Sequence, residues 1–229
     1  MKKYLVAALL CLTALLCLSG PDAQSRDRRV PITAGGGDTP YAFVATADAF
    51  AAGANTEITL SSTLSAGENV IVLCLSGASG GAAPTMVDAV NSYDQCGTMF
   101  TSGGLDYTLF YARNVASGTP TMNCTFSASV TNRSIAYWRY ANLGDAACQD
   151  GNAGLRDTDP GTGTDAINSN NVTPSSQPAM VWGITIGRGG GVVDPVSGTG
   201  FTSRGTIGTN WEANLDNGTN IEHKRVTST

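Results

Sequence analysis

From Thr56 onward, short apolar or alternating runs recur along the chain, and turn-forming residues separate them. Glycine, with 28 residues, is prominent in these gaps, together with serine, threonine and asparagine. Side chains of a strand alternate between its two faces, so such runs are typical of sandwiches or barrels and not of helical or parallel α/β folds. The pattern therefore predicts an all-β chain.

The architecture that we expect is an antiparallel two-sheet β-sandwich, Ig-like or jelly-roll-like. Val70 to Leu75 is the most apolar run and is predicted to be a central strand. Ala45 to Gly53 is either a short helix or a strand leading into a turn, and Gly144 to Ser169 is predicted to be a long loop over one end of the sandwich. The other predicted strands are Thr56–Leu60, Thr85–Val90, Thr98–Thr101, Tyr107–Arg113, Met122–Ser127, Ser134–Tyr140, Asn171–Thr173, Met180–Ile186, Phe201–Arg204 and Ile221–Val226.

The first residues have the features of a secretory signal peptide, because Lys2 and Lys3 precede an apolar run that is too short to span a bilayer. We assign residues 1–23 to this signal, residues 24–40 to a flexible linker and residues 41–229 to a single β-sandwich domain. The expected localisation is secreted, either extracellular or periplasmic. We expect no membrane span after signal cleavage, and the formal net charge of -5 argues against a nucleic-acid partner.

Four cysteines lie outside the predicted signal, and in an oxidising compartment they are expected to form two disulfides. Spacing alone leaves three connectivities open. We favour Cys74 with Cys124, both in apolar strands, and Cys96 with Cys148, both beside turns. A zinc site is not expected, since the chain has no CxxC pair and only one histidine.

Trp138 and Tyr140 are the candidate ligand-binding residues, because strand alternation places them on the same face. If they were exposed, they would form a flat platform for sugar rings. The competing interpretation is that this face fills the core. Trp182 and Trp211 occur later in the chain.

Asp157 and Asp159 are the candidate ligands for a structural calcium ion, the one cofactor that we consider, although the full calcium-loop pattern is absent. His223, the only histidine, lies in a polar run without a nucleophile motif, so we predict no catalytic residue. Paired carboxylates for a glycosidase are the alternative chemistry, and no pattern selects a pair. The acids considered for it are Glu57, Glu68, Asp88, Glu212 and Glu222.

Several segments give the chain a resemblance to β-sandwich domains recurrent in bacterial secreted proteins and phage virion proteins. They are LSAGENVIV from Leu64, VDAV from Val87, YTLFYARNV from Tyr107, Thr121 to Ser127, SIAYWRYANLG from Ser134 and NIEHKRVTST from Asn220. The resemblance implies a module for display, adhesion or assembly, with no transferable site residues. It also implies that a last strand follows the sequence, so we expect a domain truncated at its C-terminus.

Three functions are consistent with the sequence. The first is a secreted or surface-displayed, non-catalytic module for adhesion that binds an extracellular glycan or protein surface. The second is a structural subunit of an appendage or virion that self-assembles through an open strand edge. The third is a carboxylate-type glycoside hydrolase.

Overall fold

The computed structural model describes residues 25–33, 41–77, 82–102, 105–143, 148, 153–157, 179–186, 200–203 and 219–226. Over these residues the chain forms thirteen β-strands and no helix, which confirms the all-β class. No helix in this part of the chain could cross a membrane. The strands are β1 (Ser25–Thr33), β2 (Ala42–Ala51), β3 (Asn55–Ser61), β4 (Asn69–Ser76), β5 (Pro84–Val87), β6 (Asp94–Ser102), β7 (Leu105–Ala112), β8 (Thr121–Val130), β9 (Arg133–Ala141), β10 (Ala153–Asp157), β11 (Ala179–Ile186), β12 (Thr202–Ser203) and β13 (Thr219–Val226).

The central sheet is antiparallel and has the strand order β2-β9-β4-β7-β6. Every residue of β4 and of β7 is buried. A strand with one wet face would alternate between apolar and polar residues, whereas the run from Val70 to Leu75 is apolar throughout. The sequence of β4 therefore requires that both faces of this sheet be covered.

A second sheet, of order β3-β8-β5, covers one face of the central sheet. Its inward side chains include Ile58, Met122 and Phe126, which join Val72 and Phe110 of the central sheet in one buried cluster. Residues between them on β3 and β8, such as Thr59 and Thr121, point outward and are exposed. The two-sheet β-sandwich predicted from the sequence is thus confirmed.

A third sheet, of order β10-β1-β11-β13-β12, covers the other face through β11. Met180, Trp182 and Ile184 are fully buried in the same cluster as Trp138. The two indole rings meet edge to face, with centroids 5.1 Å apart, an arrangement that aromatic pairs favour. This layer goes beyond the two-sheet prediction and explains how β4 is buried on both sides.

Within the predicted linker at residues 24–40, the described part, Ser25–Thr33, forms a strand, β1, which pairs with β10 and β11. Backbone pairing with two neighbours compensates for a sequence that lacks an apolar alternation. Pro31 pairs with Val181 of β11 but lies beyond the positions that β10 covers, so its missing N–H costs no bond on that side. Residues 1–24 and 34–40, which include the predicted signal, lie outside the described residues.

Two other segments differ in detail from the sequence predictions. Of the two structures left open for Ala45 to Gly53, the strand is found, since β2 pairs along β9 and this tertiary pairing overrides the helix preference of alanine. Ala153–Asp157 lies within the predicted long loop but forms β10, an edge strand on β1. The predicted strand at Asn171 to Thr173 lies outside the described residues.

The disulfides are Cys74–Cys124 and Cys96–Cys148, with Cα–Cα distances of 5.9 and 5.6 Å, as favoured from the sequence. The first joins β4 to β8 and so connects the central sheet to the three-stranded sheet. The second ties β6 to the chain that follows β9. Both indicate an oxidising environment, extracellular or periplasmic.

One arginine is buried between turns instead of facing a carboxylate. Arg133 donates from Nη1 to the backbone carbonyls of Gly53, Asn55 and Val130, at 2.5, 3.1 and 2.7 Å. Burial lowers the pKa of this guanidinium from its ordinary value. The contacts fix the β2–β3 and β8–β9 turns against each other at one end of the sandwich.

Removing the disulfides will test how the layers are held. They close loops of similar length, with sequence separations of 50 and 52, and each should contribute about 4 kcal/mol by constraining the unfolded chain. Cys74 and Cys124 are fully buried, whereas Cys148 is only partly so. Replacing Cys74 and Cys124 together by alanine should therefore lower the free energy of unfolding more than replacing Cys96 and Cys148.

Guanidinium denaturation followed by tryptophan fluorescence measures this difference. Equal losses for the two double variants, or no loss in either, would contradict the assignment of Cys74–Cys124 as the link through the core.

Candidate functional site

An open cleft lies at one end of the sandwich, between the β5–β6 and β7–β8 loops. Its volume is about 440 Å³, within the range of small-molecule sites. Among the described residues, the β5–β6 side is lined by Val90, Asn91, Ser92 and Asp94, and the β7–β8 side by Arg113, Asn114 and Ala116. Loops held at the end of a rigid sandwich are common positions for binding sites.

Asp88 is the hydrogen-bonding centre of the β5–β6 loop. Its Oδ1 accepts from the backbone N–H groups of Val90 and Asn91, at 2.7 and 2.5 Å. Its Oδ2 accepts from the Asn91 side-chain amide at 2.9 Å and from the Tyr93 hydroxyl at 2.8 Å. One carboxylate thus binds three other residues of the loop, Val90, Asn91 and Tyr93.

These contacts shift the pKa values of both acidic partners. Partial burial raises the pKa of Asp88, but the hydrogen bonds from Asn91, Val90 and Tyr93 together outweigh it and hold the pKa below its ordinary value of 3.8. Burial, followed by the hydrogen bond to Asp88 and its negative charge, raises the pKa of Tyr93. At neutral pH the loop therefore contains an ionised acceptor and a protonated donor.

Asn91 connects the two sides of the cleft. While its Nδ2 donates to Asp88, its Oδ1 accepts from the backbone N–H of Ala116 at 2.9 Å. Both ends of this amide are engaged within the protein, so Asn91 shapes the cleft and does not offer its amide to a ligand.

The β7–β8 loop is also hydrogen-bonded to the turn that precedes β4. Val115 donates its backbone N–H to the carbonyl of Glu68 at 2.9 Å. The Glu68 carboxylate is held in turn by Arg139, whose Nε and Nη2 each donate to it at 2.9 Å. Glu68 and Arg139 are 8% and 11% exposed, so this bidentate pair is shielded from solvent and holds in place the residue that binds Val115 of the β7–β8 loop.

The rim of the cleft combines charge, amide and apolar groups. Arg113 and Asp94 form an ion pair with a 3.3 Å contact, and both side chains are substantially exposed. Asn114 has a φ of 46°, a left-handed conformation that asparagine tolerates better than most residues. Val90 is 55% exposed and provides an apolar edge.

The predicted platform of Trp138 and Tyr140 is wrong as a surface site. Trp138 is 1% exposed and Tyr140 is fully buried. Trp138 packs against Trp182, and Tyr140 packs edge to face against Tyr41 and Phe43. The competing interpretation, that this face fills the core, is the correct one, because the third sheet covers it.

The calcium prediction falls largely outside the described residues. Asp157 ends β10, where only the backbone is described, and Asp159 lies beyond it. In the part of the chain that the structure describes, no group of three or more metal-ligating side chains comes together. His223 lies in β13, opposite Trp182 in the register, and Trp211 is outside the described residues.

Of the acids considered for a glycosidase, the structure describes the side chains of Glu57, Glu68 and Asp88. Glu57 is exposed on the outer face of β3, and Glu68 is paired with Arg139. Both carboxylate oxygens of Asp88 accept hydrogen bonds from residues of its own loop. Glu222 lies in β13, and Glu212 is outside the described residues.

Sequence reasoning missed the residues that line the cleft. Residues 91–97 fall between two predicted strands, Thr85–Val90 and Thr98–Thr101, and Asp94 and Arg113 are separated by the whole of β7. The one local signal is an aspartate followed three residues later by an asparagine, the spacing of a side-chain-stabilised turn. That signal predicts a rigid loop and does not indicate what lies opposite it.

Changing Asp88 will test its role in the loop. Because its folded pKa is lowered, its stabilising contribution is present above the unfolded value near 3.8 and is lost as pH falls through the lower folded value. Asp88→Asn should cost about 1–2 kcal/mol at pH 7, since an amide cannot accept all four bonds. The variant should also lose less stability than wild type on acidification below about pH 4.

Urea denaturation across pH, with hydrogen exchange at the amides of Val90 and Asn91, measures both effects. Glu57→Gln is the matched control, because this acid is exposed in β3. Unchanged exchange at Val90 and Asn91 in Asp88→Asn would refute the role of Asp88 as the centre of the loop.

Comparison of the chain with protein-family models, curated proteins and solved structures finds no match in any of the three. The fold and the cleft are therefore the basis on which a function is proposed.

Proposed function

We propose that the chain is an exported, non-catalytic β-sandwich module that binds an extracellular partner through the cleft between the β5–β6 and β7–β8 loops. The observation that carries this proposal is the fixed geometry of the two loops. Asp88 organises one loop, Asn91 joins it to the other, and Glu68 anchors the second loop from below. A site that is rigid before binding loses less conformational entropy when a partner docks.

Export is supported by the N-terminal signal pattern and by the two disulfides. A non-catalytic role is supported by the chemistry of the lining. The carboxylate of Asp94, which a general acid or base would supply, is engaged by Arg113. No histidine or second carboxylate joins it among the described lining residues.

Binding arrays test the function independently of the class of partner. The full chain, purified from the periplasm with both disulfides formed, is applied to immobilised extracellular glycans and extracellular proteins. We expect binding that Asn114→Gly weakens, since glycine accepts the left-handed backbone at this position and only the side chain is lost.

Asn132→Gly is the matched control, because Asn132 also has a positive φ, of 50°, but precedes β9 at the opposite end of the sandwich. Binding that the two variants reduce equally, or no binding on either array, would refute the proposed role of the cleft. Release of products from a bound glycan would instead favour the glycoside hydrolase.

The alternative function, a structural subunit that assembles by strand pairing, has one supporting observation. β13 pairs with β11 at all eight positions, so this last described strand is not open on that side. On its other side β13 is paired with β12 only at Glu222 and His223 within the described residues. Among the described residues no other strand pairs on that side, which would leave a backbone edge for strand addition.

Light scattering across a range of concentrations tests this alternative. Assembly that is abolished when Lys224 is replaced by proline, which removes a backbone donor from β13, would support it. The control is proline at Thr202 in β12. A concentration-independent monomer would eliminate the alternative.

A further inference from the structure

The charge of the cleft constrains what it can hold. Among the described lining residues the two charged groups are Asp94 and Arg113, which are in contact at 3.3 Å. Their formal charges cancel, and the whole chain carries a formal net charge of -5. An anionic ligand would meet no excess positive charge in the cleft, and a cation would meet a carboxylate that is already neutralised.

The hydrogen-bonding groups of the cleft are mixed in kind. A carboxylate accepts at several lone pairs and a guanidinium carries five N–H donors, so Asp94 and Arg113 can contribute acceptors and donors beside their single mutual contact. Asn114 and Ser92 each contribute both kinds of group. The hydroxyl groups on neighbouring carbons of a sugar ring each donate and accept hydrogen bonds. They therefore match a cleft that presents a carboxylate, a guanidinium and an amide side by side. The amide of Asn91 is engaged at both ends, which leaves the binding to the other four residues.

The apolar part of the lining suits the C–H face of a sugar ring. Val90 is 55% exposed at the rim, and Ala116 lies across from it in the lining. No aromatic ring lies among the described lining residues, so the ligand would be held mainly by hydrogen bonds and by contact with these small side chains.

From these three features we propose that the partner of the cleft is a neutral carbohydrate, bound by its hydroxyl groups to Ser92, Asp94, Arg113 and Asn114. This inference rests on the proposed function and specifies the class of its ligand. The absence of an aromatic platform in the described lining makes each site weak, so firm attachment would require a repeating polysaccharide or several copies of the module.

Titration of the isotopically labelled full chain, followed by nuclear magnetic resonance, tests the proposal with a matched pair of ligands. Lactose is neutral, and 3′-sialyllactose adds to the same core one sialic acid residue, which carries a carboxylate. Cellotriose and chitotriose extend the neutral set. We expect a neutral sugar to shift the amide signals of residues 90–94 and 113–116 and to bind more tightly than sialyllactose.

Two variants separate binding from a merely structural effect. Asn114→Gly should lower the affinity for the neutral sugar about fivefold to tenfold, as expected for one lost hydrogen bond. Asn132→Gly should leave this affinity unchanged. Asp94→Asn gives the lining a net positive charge. It should therefore shift the preference toward sialyllactose, which a loss of folding would not do.

The outcomes distinguish this inference from the function on which it rests. Sialyllactose binding as tightly as lactose, or an unchanged preference in Asp94→Asn, would overturn the neutral-carbohydrate assignment. If no sugar binds but an extracellular protein binds at the same residues, the neutral-carbohydrate assignment is overturned and the binding function is not. If neither a sugar nor an extracellular protein binds, both the carbohydrate assignment and the binding function are overturned.

Discussion

The burial of the central sheet on both faces is the constraint on which the rest of the structure depends. β4 and β7 have no exposed residue, so each of their faces must meet another layer. The three-stranded sheet meets one face, and β11 brings Trp182 against Trp138 on the other. Apolar burial of this extent is the main favourable term in folding, and a two-layer sandwich alone would leave half of it in water.

Covering both faces also decides where function is located. Aromatic side chains on the covered faces are buried by packing against the next sheet. Trp138 and Tyr140 are therefore part of the core and do not contact a ligand. The ends of the sandwich are left to the loops. At one end Arg133 binds backbone carbonyls of the turns, and at the other end Glu68 and Arg139 support the cleft.

The cleft owes its shape to polar contacts that are specific in direction. Asp88 satisfies two backbone N–H groups and two side-chain donors, and Asn91 joins the loops through both ends of its amide. Such contacts contribute modestly to stability because they replace contacts with water. Their larger effect is to hold the rim residues in fixed positions before a partner arrives.

The sequence by itself determined the all-β class, most strand positions and the preferred disulfide pairing. These follow from alternation, turn residues and cysteine context, all of which are local. Only the tertiary structure decided that Ser25–Thr33 is a strand, that a third sheet covers Trp138 and that Asp94 meets Arg113. The physical reason is that pairing partners and burial of a given face depend on residues far away in the chain, and a local pattern carries no information about which layer lies opposite.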